Sequence, residues 1–273
     1  MLSLMRVAVT GAAGHIGRCL MAGLADAGHD VRGIDLVRPD EAWADRVVVA
    51  DVGTDDAALT EVLTGADAMV HLAAIATETD FETAMDTHVR LAHRVLERAR
   101  DLDVGRVVYA SSNHAVGFTP RAPMVETGTR IRPDGYYGVG KAAVEALCSL
   151  YHDRHGLAVA CLRIGSFRER PTSRRELSTW LSYGDAVRLV DACLRTPDLG
   201  FAVVYGISNN TRAWWDLEPG RAIGYQPVDD AEHWAAEIES APLSDDDELD
   251  GRYVGGPFAR PASGSTGQNG EPR

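Results

Sequence analysis

The chain has 273 residues, 45% of them hydrophobic, and carries a formal charge of −13 from 27 basic and 40 acidic side chains. That length buries one large core without demanding a second, and so acidic a body with no basic stripe excludes nucleic acid and anionic membrane surfaces as partners. Cys19, Cys148, Cys161 and Cys193 lie far apart inside apolar segments, which suits reduced core thiols of a cytoplasmic protein rather than zinc or a disulfide framework. No apolar run is long enough to cross a bilayer, and Met1 to Met5 is too short for a secretory signal core.

In chain order, Arg6 to Thr10 is a buried strand, and apolar residues recur at helical spacing from Gly14 to His29. Short apolar runs follow at Val31 to Leu36, Val47 to Ala50, Ala68 to Leu72, Arg106 to Ala110, Ala158 to Ile164 and Ala202 to Tyr205, most of them separated by helical patterns. This alternation predicts an α/β fold, a Rossmann-type doubly wound and mainly parallel sheet. It forms a single domain over residues 1–260, with a cofactor-binding core at about 5–165 and a small substrate-side cap at about 166–258. After Tyr205 the pattern loosens into Asn209 to Asp216, Ala231 to Ser240 and Ser244 to Asp250, where Asp245, Asp246 and Asp247 read as a solvated turn. Residues 261–273, rich in Gly, Ser, Pro and Gln, are expected to be disordered.

Gly11, Gly14 and Gly17 show G-x-x-G-x-x-G spacing between that first strand and helix, with His15 and Ile16 in the turn. Each glycine lets backbone, phosphate or helix approach where a Cβ would clash, as a dinucleotide requires. Asp35, followed by Leu36, ends the second strand where a carboxylate accepts from the adenosine ribose and repels a 2′-phosphate. The predicted cofactor is therefore NAD rather than NADP, a preference that nearby Arg38 softens. Asp51, before Val52, either accepts from the adenine amino group or caps a helix over Thr54 to Leu63. Leu72, Ala73 and Ala74, with Ile75, Ala76 and Thr77 beyond them, let the backbone pass close to the cofactor, and Ile164 joins them at the end of its strand.

Tyr137 and Lys141 stand four residues apart and share one helix face. An ammonium and a positive nicotinamide favour the phenolate, and a fall in pKa from about 10 toward about 7 corresponds to roughly 4 kcal/mol, enough for a base at neutral pH. Ser111, Ser112, Asn113 and His114 follow the strand Arg106 to Ala110, at the sheet edge where ligands bind, and Ser112 is placed to hold the reacting oxygen. Ser166 to Arg175 carries four arginines against one glutamate, a local cationic loop suited to an anionic substrate. Arg168, Arg170 and Arg174 read as solvated, whereas Arg175 reads as a carboxylate ligand because its planar fork pairs both oxygens. His71, His93, His152, His155 and His233 have no metal spacing, and Trp180, Trp214 and Trp215 read as packing residues.

The order of glycine fingerprint, Asp35, small-residue turn, Ser112, Tyr137 and Lys141 resembles the extended short-chain dehydrogenase/reductase superfamily. Within it, Ala110-Ser111-Ser112-Asn113-His114, the run from Arg132 to Lys141, Arg163-Ile164-Gly165-Ser166, Leu177-Ser178-Thr179-Trp180 and Trp214-Trp215-Asp216 resemble the bacterial uronate dehydrogenases, over roughly Val7 to Phe258. The resemblance implies oxidation of a hexuronate, galacturonate or glucuronate, at its anomeric carbon to an aldarolactone, with NAD taking the hydride. It implies Tyr137 as base, Lys141 as its partner and Ser112 as the orienting hydroxyl. Asn113, His114, Ser166 and Arg175 then line the sugar, Arg175 takes the carboxylate, and the protein is a homo-oligomer. The chain departs from the family at Ala76, where a substrate-contacting serine is usual, and at His88, where the superfamily commonly has asparagine. The rival readings are a dehydrogenase of neutral aldoses, and a nucleotide-sugar epimerase or dehydratase. The second needs a larger C-terminal domain than the chain after Lys141 provides.

Overall fold

A computed structural model describes residues 4–260, so the tail expected to be disordered lies outside the described residues. The first half runs β1 (Arg6–Thr10), α1 (His15–Asp26), β2 (Asp30–Asp35), β3 (Val47–Val49), α2 (Asp56–Leu63), β4 (Ala68–His71) and α3 (Phe81–Ala84), which passes through a π turn (Met85–Arg90) into α4 (Leu91–Asp101). Then come β5 (Arg106–Ser112), α5 (Tyr136–His155), β6 (Ala158–Ile164), β7 (Ser166–Phe167), α6 (Glu176–Thr179), β8 (Trp180–Leu181), α7 (Tyr183–Arg195) and β9 (Phe201–Gly206). Short helices α8 (Glu218–Ala222), α9 (Ala235–Glu239) and α10 (Asp245–Asp250) complete the chain. Among the described residues, no helix is long and apolar enough to cross a membrane.

Seven strands form one sheet in the order β3-β2-β1-β4-β5-β6-β9, every neighbouring pair parallel. The chain winds outward from β1 to β3, then returns to β4 on the other side of β1. This reversal leaves a crevice beyond the carboxyl ends of β1 and β4, where ligands bind in such sheets. Both sheet faces are covered, which is why the central strands read as continuous apolar runs rather than alternating ones. Leu20, Met21 and Leu24 of α1 pack with Leu189 and Val190 of α7 on one side. Leu59 and Leu63 of α2, Val95 and Leu96 of α4, and Val144 and Cys148 of α5 fill the other.

The placement of α5 decides where Tyr137 sits. Gly135 precedes the helix with no side-chain cap of its own. Instead the Glu78 carboxylate, from the loop after β4, accepts the Tyr136 and Tyr137 amides at 2.7 and 3.1 Å, satisfying the open first turn with a charge of the right sign. At the far end Gly156 adopts φ +70° to terminate the helix. Midway, Glu145 accepts from the Ser111 hydroxyl at 2.6 Å and from Arg163 Nε and Nη2 at 3.0 and 2.8 Å, with the two charged side chains only 3% and 7% exposed. Three elements, β5, β6 and α5, are thereby locked in register beneath the crevice.

Several expectations need correction. β5 continues through Ser111 and Ser112, which pair with Arg163 and Ile164 of β6, so both serines belong to the strand rather than to a loop after it. The paired strands β7 and β8 had no recognisable pattern because each is two residues long. Asp245 to Asp247 open a helix rather than a turn, since Ser244 and Asp247 form a capping box and acidic residues suit a helix N-terminus. Asp55, not Asp51, caps α2. Arg168, Arg170 and Arg174 are not merely solvated but pair with Glu176, Glu237 and Glu239, stitching their loop partly to the α9 segment. Cys148, Cys161 and Cys193 are buried free thiols as expected, but Cys19 is only half-buried.

Removing the Glu145 carboxylate leaves Arg163 as an unpaired buried charge. Glu145→Ala should therefore cost about 3–5 kcal/mol in urea-induced unfolding, whereas a loss below about 1 kcal/mol would show that the pair does not hold α5.

Candidate active site

A cavity of about 890 Å³ opens at the carboxyl edge of the sheet, between the glycine turn after β1 and the N-terminal turns of α5. Gly11, Gly14, His15, Ile16, Gly17, Asp35, Leu36, Asp51, Val52, Leu72, Ala73, Ala74, Tyr137, Lys141 and Ile164 all line it. Every residue expected to face the cofactor therefore borders this one cavity. On the side expected to hold the substrate, Ala76, Thr77, Ser112, Asn113 and His114 also line it.

The glycine turn suits a pyrophosphate for reasons visible in its backbone. Gly11 has φ +75°, and a Cβ there would stand 2.8 Å from the Ala73 amide nitrogen, too close to persist. At Gly17 a Cβ would collide with the Gly11 and Ala12 carbonyls. The first turn of α1 has neither a side-chain cap nor an acidic residue, so its amides and the positive end of the helix dipole remain available to an anion. Asp35 Oδ2 accepts the Ala13 amide at 2.9 Å, tying the end of β2 to this turn and holding the carboxylate at the cavity. Arg38 turns instead to Asp45, 3.2 Å away. Asp51 holds the Gly53 amide at 2.7 Å. These residues fit a dinucleotide with a free 2′-hydroxyl.

At the other end, Tyr137 and Lys141 lie one turn apart on α5. Lys141 is 4% exposed, and its Nζ donates to the Ala110 carbonyl at 2.7 Å while lying 5.4 Å from the centre of the Tyr137 ring. Burial lowers its pKa from 10.5 to about 7. Tyr137 is not lowered as its partner lysine led us to expect. Burial raises it above the ordinary phenol value, the Ser112 hydrogen bond pulls it down in part, and the Asp134 charge adds to the rise. Desolvation, which disfavours both charged forms, outweighs the attraction between them.

Behind this pair lies a layer of neutral groups. Burial first, then the Lys141 charge, lower His71 to about 3 and His88 to about 4. His71 bonds Thr10 Oγ1 at 2.7 Å. His88, in the π turn, presses its ring edge-on to Tyr137 at 5.2 Å and packs beside Gly140, where a Cβ would not fit. Among the described residues neither of its ring nitrogens has a partner at ordinary hydrogen-bond geometry, and the nearby Ile75 backbone only partly offsets the fall in its pKa.

Ser166 and Arg175 do not line the cavity. The Arg175 guanidinium donates to the Val254 carbonyl at 2.6 Å and to Ser166 Oγ and Thr179 Oγ1 at 3.3 Å, and its Nε is buried without a partner. Asn113 Nδ2 reaches the same Val254 carbonyl at 3.0 Å. The segment after α10 therefore runs across two residues expected to hold the sugar, with Phe258 at the cavity wall and 4.7 Å from the His114 ring centre. Phe258, Phe167 and Gly165 are lining residues that the sequence reading did not name. The run Gly255-Gly256-Pro257-Phe258 was the available signal for the first, since two glycines before an aromatic mark a chain passing close to something. Trp180, Trp214 and Trp215 are buried packing residues as expected, but they do not line the cavity.

Residues 7–168 match the NAD dependent epimerase/dehydratase family. The chain is 37% identical over 264 residues, 96% of its own length and 95% of the relative's, to a uronate dehydrogenase of Pseudomonas syringae pv. tomato. Among solved structures, a variant of the Agrobacterium tumefaciens uronate dehydrogenase complexed with NAD superposes with a TM-score of 0.87 at 36% identity, covering 94% of this chain and 97% of that one. A glucuronic acid dehydrogenase from Chromohalobacter salexigens matches with the same TM-score, identity and coverage.

The lowered Lys141 pKa carries a signature in stability. The unfolded chain keeps this proton up to about 10.5 whereas the folded one releases it near about 7. In that window unfolding takes up a proton, so stability rises with pH, while below it the full cost of a buried ammonium remains and the slope vanishes. In urea unfolding of the cofactor-free protein, the wild type should gain on Lys141→Met by about 1 kcal/mol per pH unit between pH 7 and 9. Parallel stability curves for the two proteins would contradict the burial assigned to this lysine.

Proposed function

Because this chain belongs to the NAD dependent epimerase/dehydratase family and is 37% identical to a uronate dehydrogenase over 96% of its length, we propose that it oxidises a hexuronate at C1 to the aldarolactone, with NAD as oxidant. The observation that carries this reading is convergence. Tyr137, Lys141 and Ser112 meet at one wall of a cavity whose other end is the glycine turn after β1.

NAD, held along Gly11 to Gly17, Asp35, Asp51 and the Leu72 to Ala74 turn, supplies the hydride acceptor. The protein's own part is to take the proton from the C1 hydroxyl. Ser112 is on the last residue of β5, a rigid element, and orients that oxygen beside the Tyr137 hydroxyl. Tyr137 is the base. In the free protein its phenol is held above the ordinary value, so the deprotonated form depends on positive charge arriving nearby when the site fills. Lys141, with its pKa drawn to about 7, is buried close enough to add its own charge and can exchange a proton near neutrality. The cavity walls, mostly apolar side chains, lower the local dielectric and strengthen these interactions.

On the substrate side, Asn113, His114, Thr77 and Ala76 border the sugar. Ala76 supplies no hydroxyl, and the adjacent Thr77 side chain is the nearest replacement in sequence. Arg175 is the residue for the substrate carboxylate. Its unpartnered buried Nε is a donor whose burial costs free energy until an acceptor reaches it. A carboxylate that replaces the Val254 carbonyl satisfies two donors of the fork at once. Ser166, which accepts from the same guanidinium, holds it from behind.

Purified protein mixed with NAD and galacturonate, glucuronate, galactose or glucose tests this reading through NADH absorbance at saturating cofactor. The uronates should be turned over with kcat/KM at least about a hundredfold above the neutral sugars, the worth of one charge-assisted pair. Equal rates across acids and neutral sugars would remove Arg175 from its role and favour an aldose dehydrogenase.

A further inference from the structure

Asp134 is a residue for which the reaction as described has no use, yet it sits in the most constrained surroundings of the site. Its side chain is 1% exposed. Its carboxylate is enclosed by Gly117 and Gly255, whose backbones are themselves bonded to each other at 2.9 Å. A Cβ on either glycine would overlap the carboxylate. Neither glycine has a positive φ, so their small size serves space rather than backbone shape. Among the described residues, the carboxylate's hydrogen-bond partner is His114 Nδ1, at 2.7 Å. A carboxylate only accepts, so Nδ1 must carry the hydrogen. Among the described residues the other ring nitrogen, Nε2, bonds no protein group, and the ring lines the cavity between Tyr137 and Phe258, with ring centres 5.7 and 4.7 Å away.

We infer that Asp134 is a positioning residue for substrate recognition: it fixes His114 with Nδ1–H directed away from the cavity, so that Nε2 is presented to a sugar hydroxyl. Without a fixed partner an imidazole alternates between two tautomers and several rotamers, and each wrong state offers the sugar the wrong hydrogen-bonding character. A buried acceptor removes that ambiguity in the way outer carboxylates orient metal-bound histidines. The C-terminal segment takes part, because Gly255 lies against the carboxylate and Phe258 packs on the ring at a tilt of 59°. The assignment of a sugar to this cavity rests on the function proposed above, while the orientation of His114 does not.

The test separates the two. Imidazole 15N–1H spectra of the cofactor-free protein, with His114 identified by its loss in His114→Gln, should show Nδ1 protonated in the wild type. Asp134→Asn, which keeps the volume between the glycines, should abolish that signature, as should Gly255→Ala, which pushes on the carboxylate from the other side. An unprotonated Nδ1 in the wild type, or an unchanged spectrum in Asp134→Asn, overturns the inference whatever the substrate proves to be. In kinetics, Asp134→Asn, His114→Gln and the double variant should each raise the uronate KM by about tenfold, kcat moving less and NAD affinity staying put, as expected if the two act as one unit. Effects that multiply in the double variant, or a matching loss of NAD affinity, would show that Asp134 acts as scaffold and overturn it as well. If the wild type turns over no uronate, the proposed function fails and the spectra alone decide on Asp134.

Discussion

The active site is organised around one buried ammonium, that of Lys141. Lys141 has left water almost completely and has one hydrogen-bonding partner, the Ala110 carbonyl near the end of β5. An ammonium in that position is costly, and the surroundings show the cost in several places. Burial draws its own pKa down to about 7, burial first and its charge second push His71 and His88 far below the usual imidazole range, and among the described residues no carboxylate lies against it to offset the charge. The site thus has little free-energy reason to keep Lys141 charged in isolation and good reason to accept negative charge close by. A phenolate on Tyr137 is the negative group that α5 places within reach.

Two anchors hold the two sides of that arrangement to about the precision a proton transfer requires. The Glu145 carboxylate fixes α5 to Ser111 of β5 and Arg163 of β6, and Glu78 caps the first turn of the same helix. Glu145 lies about two turns further along the same helix, whereas Glu78 comes from the loop after β4. They set the height and rotation of its helix above the sheet edge, and Ser112 is carried by the same strand that supplies the lysine's carbonyl partner. Position of the catalytic groups is therefore a property of the sheet and α5 together. The substrate side is held differently, by a C-terminal segment crossing Asn113, His114 and Arg175.

Most of the cofactor half was legible in the sequence because each of its requirements has a short-range signature. Glycines at fixed spacing, an acidic residue ending β2 and a small-residue turn after β4 are all local statements about backbone approach, and the structure places them together around one cavity. The proposed catalytic trio could be picked out for a similar reason, since Tyr137 and Lys141 lie one turn apart and the serine closes an apolar strand, and all three line the cavity. What could not be read were relations between distant segments. The ion pairs of Arg168, Arg170 and Arg174, the Glu78 cap and the Val254 carbonyl shared by Asn113 and Arg175 are all set by tertiary packing. The direction of the Tyr137 pKa was misjudged for the same reason: charge pairs can be counted along a sequence, but desolvation depends on how deeply the fold buries them. Short strands such as β7 and β8 are too brief for any periodicity to show.

The central claim is that Tyr137 removes the proton from the substrate hydroxyl while the rest of the site binds and orients. Turnover and NAD binding measured on Tyr137→Phe test this most directly, since the change deletes one oxygen and keeps the ring against His88 and His114. The expected result is a fall in kcat of about a thousandfold, within the span usual for loss of a general base, with NAD affinity unchanged within about twofold. A variant that retains more than a tenth of wild-type kcat would contradict the account, and the base would have to be sought elsewhere in the cavity.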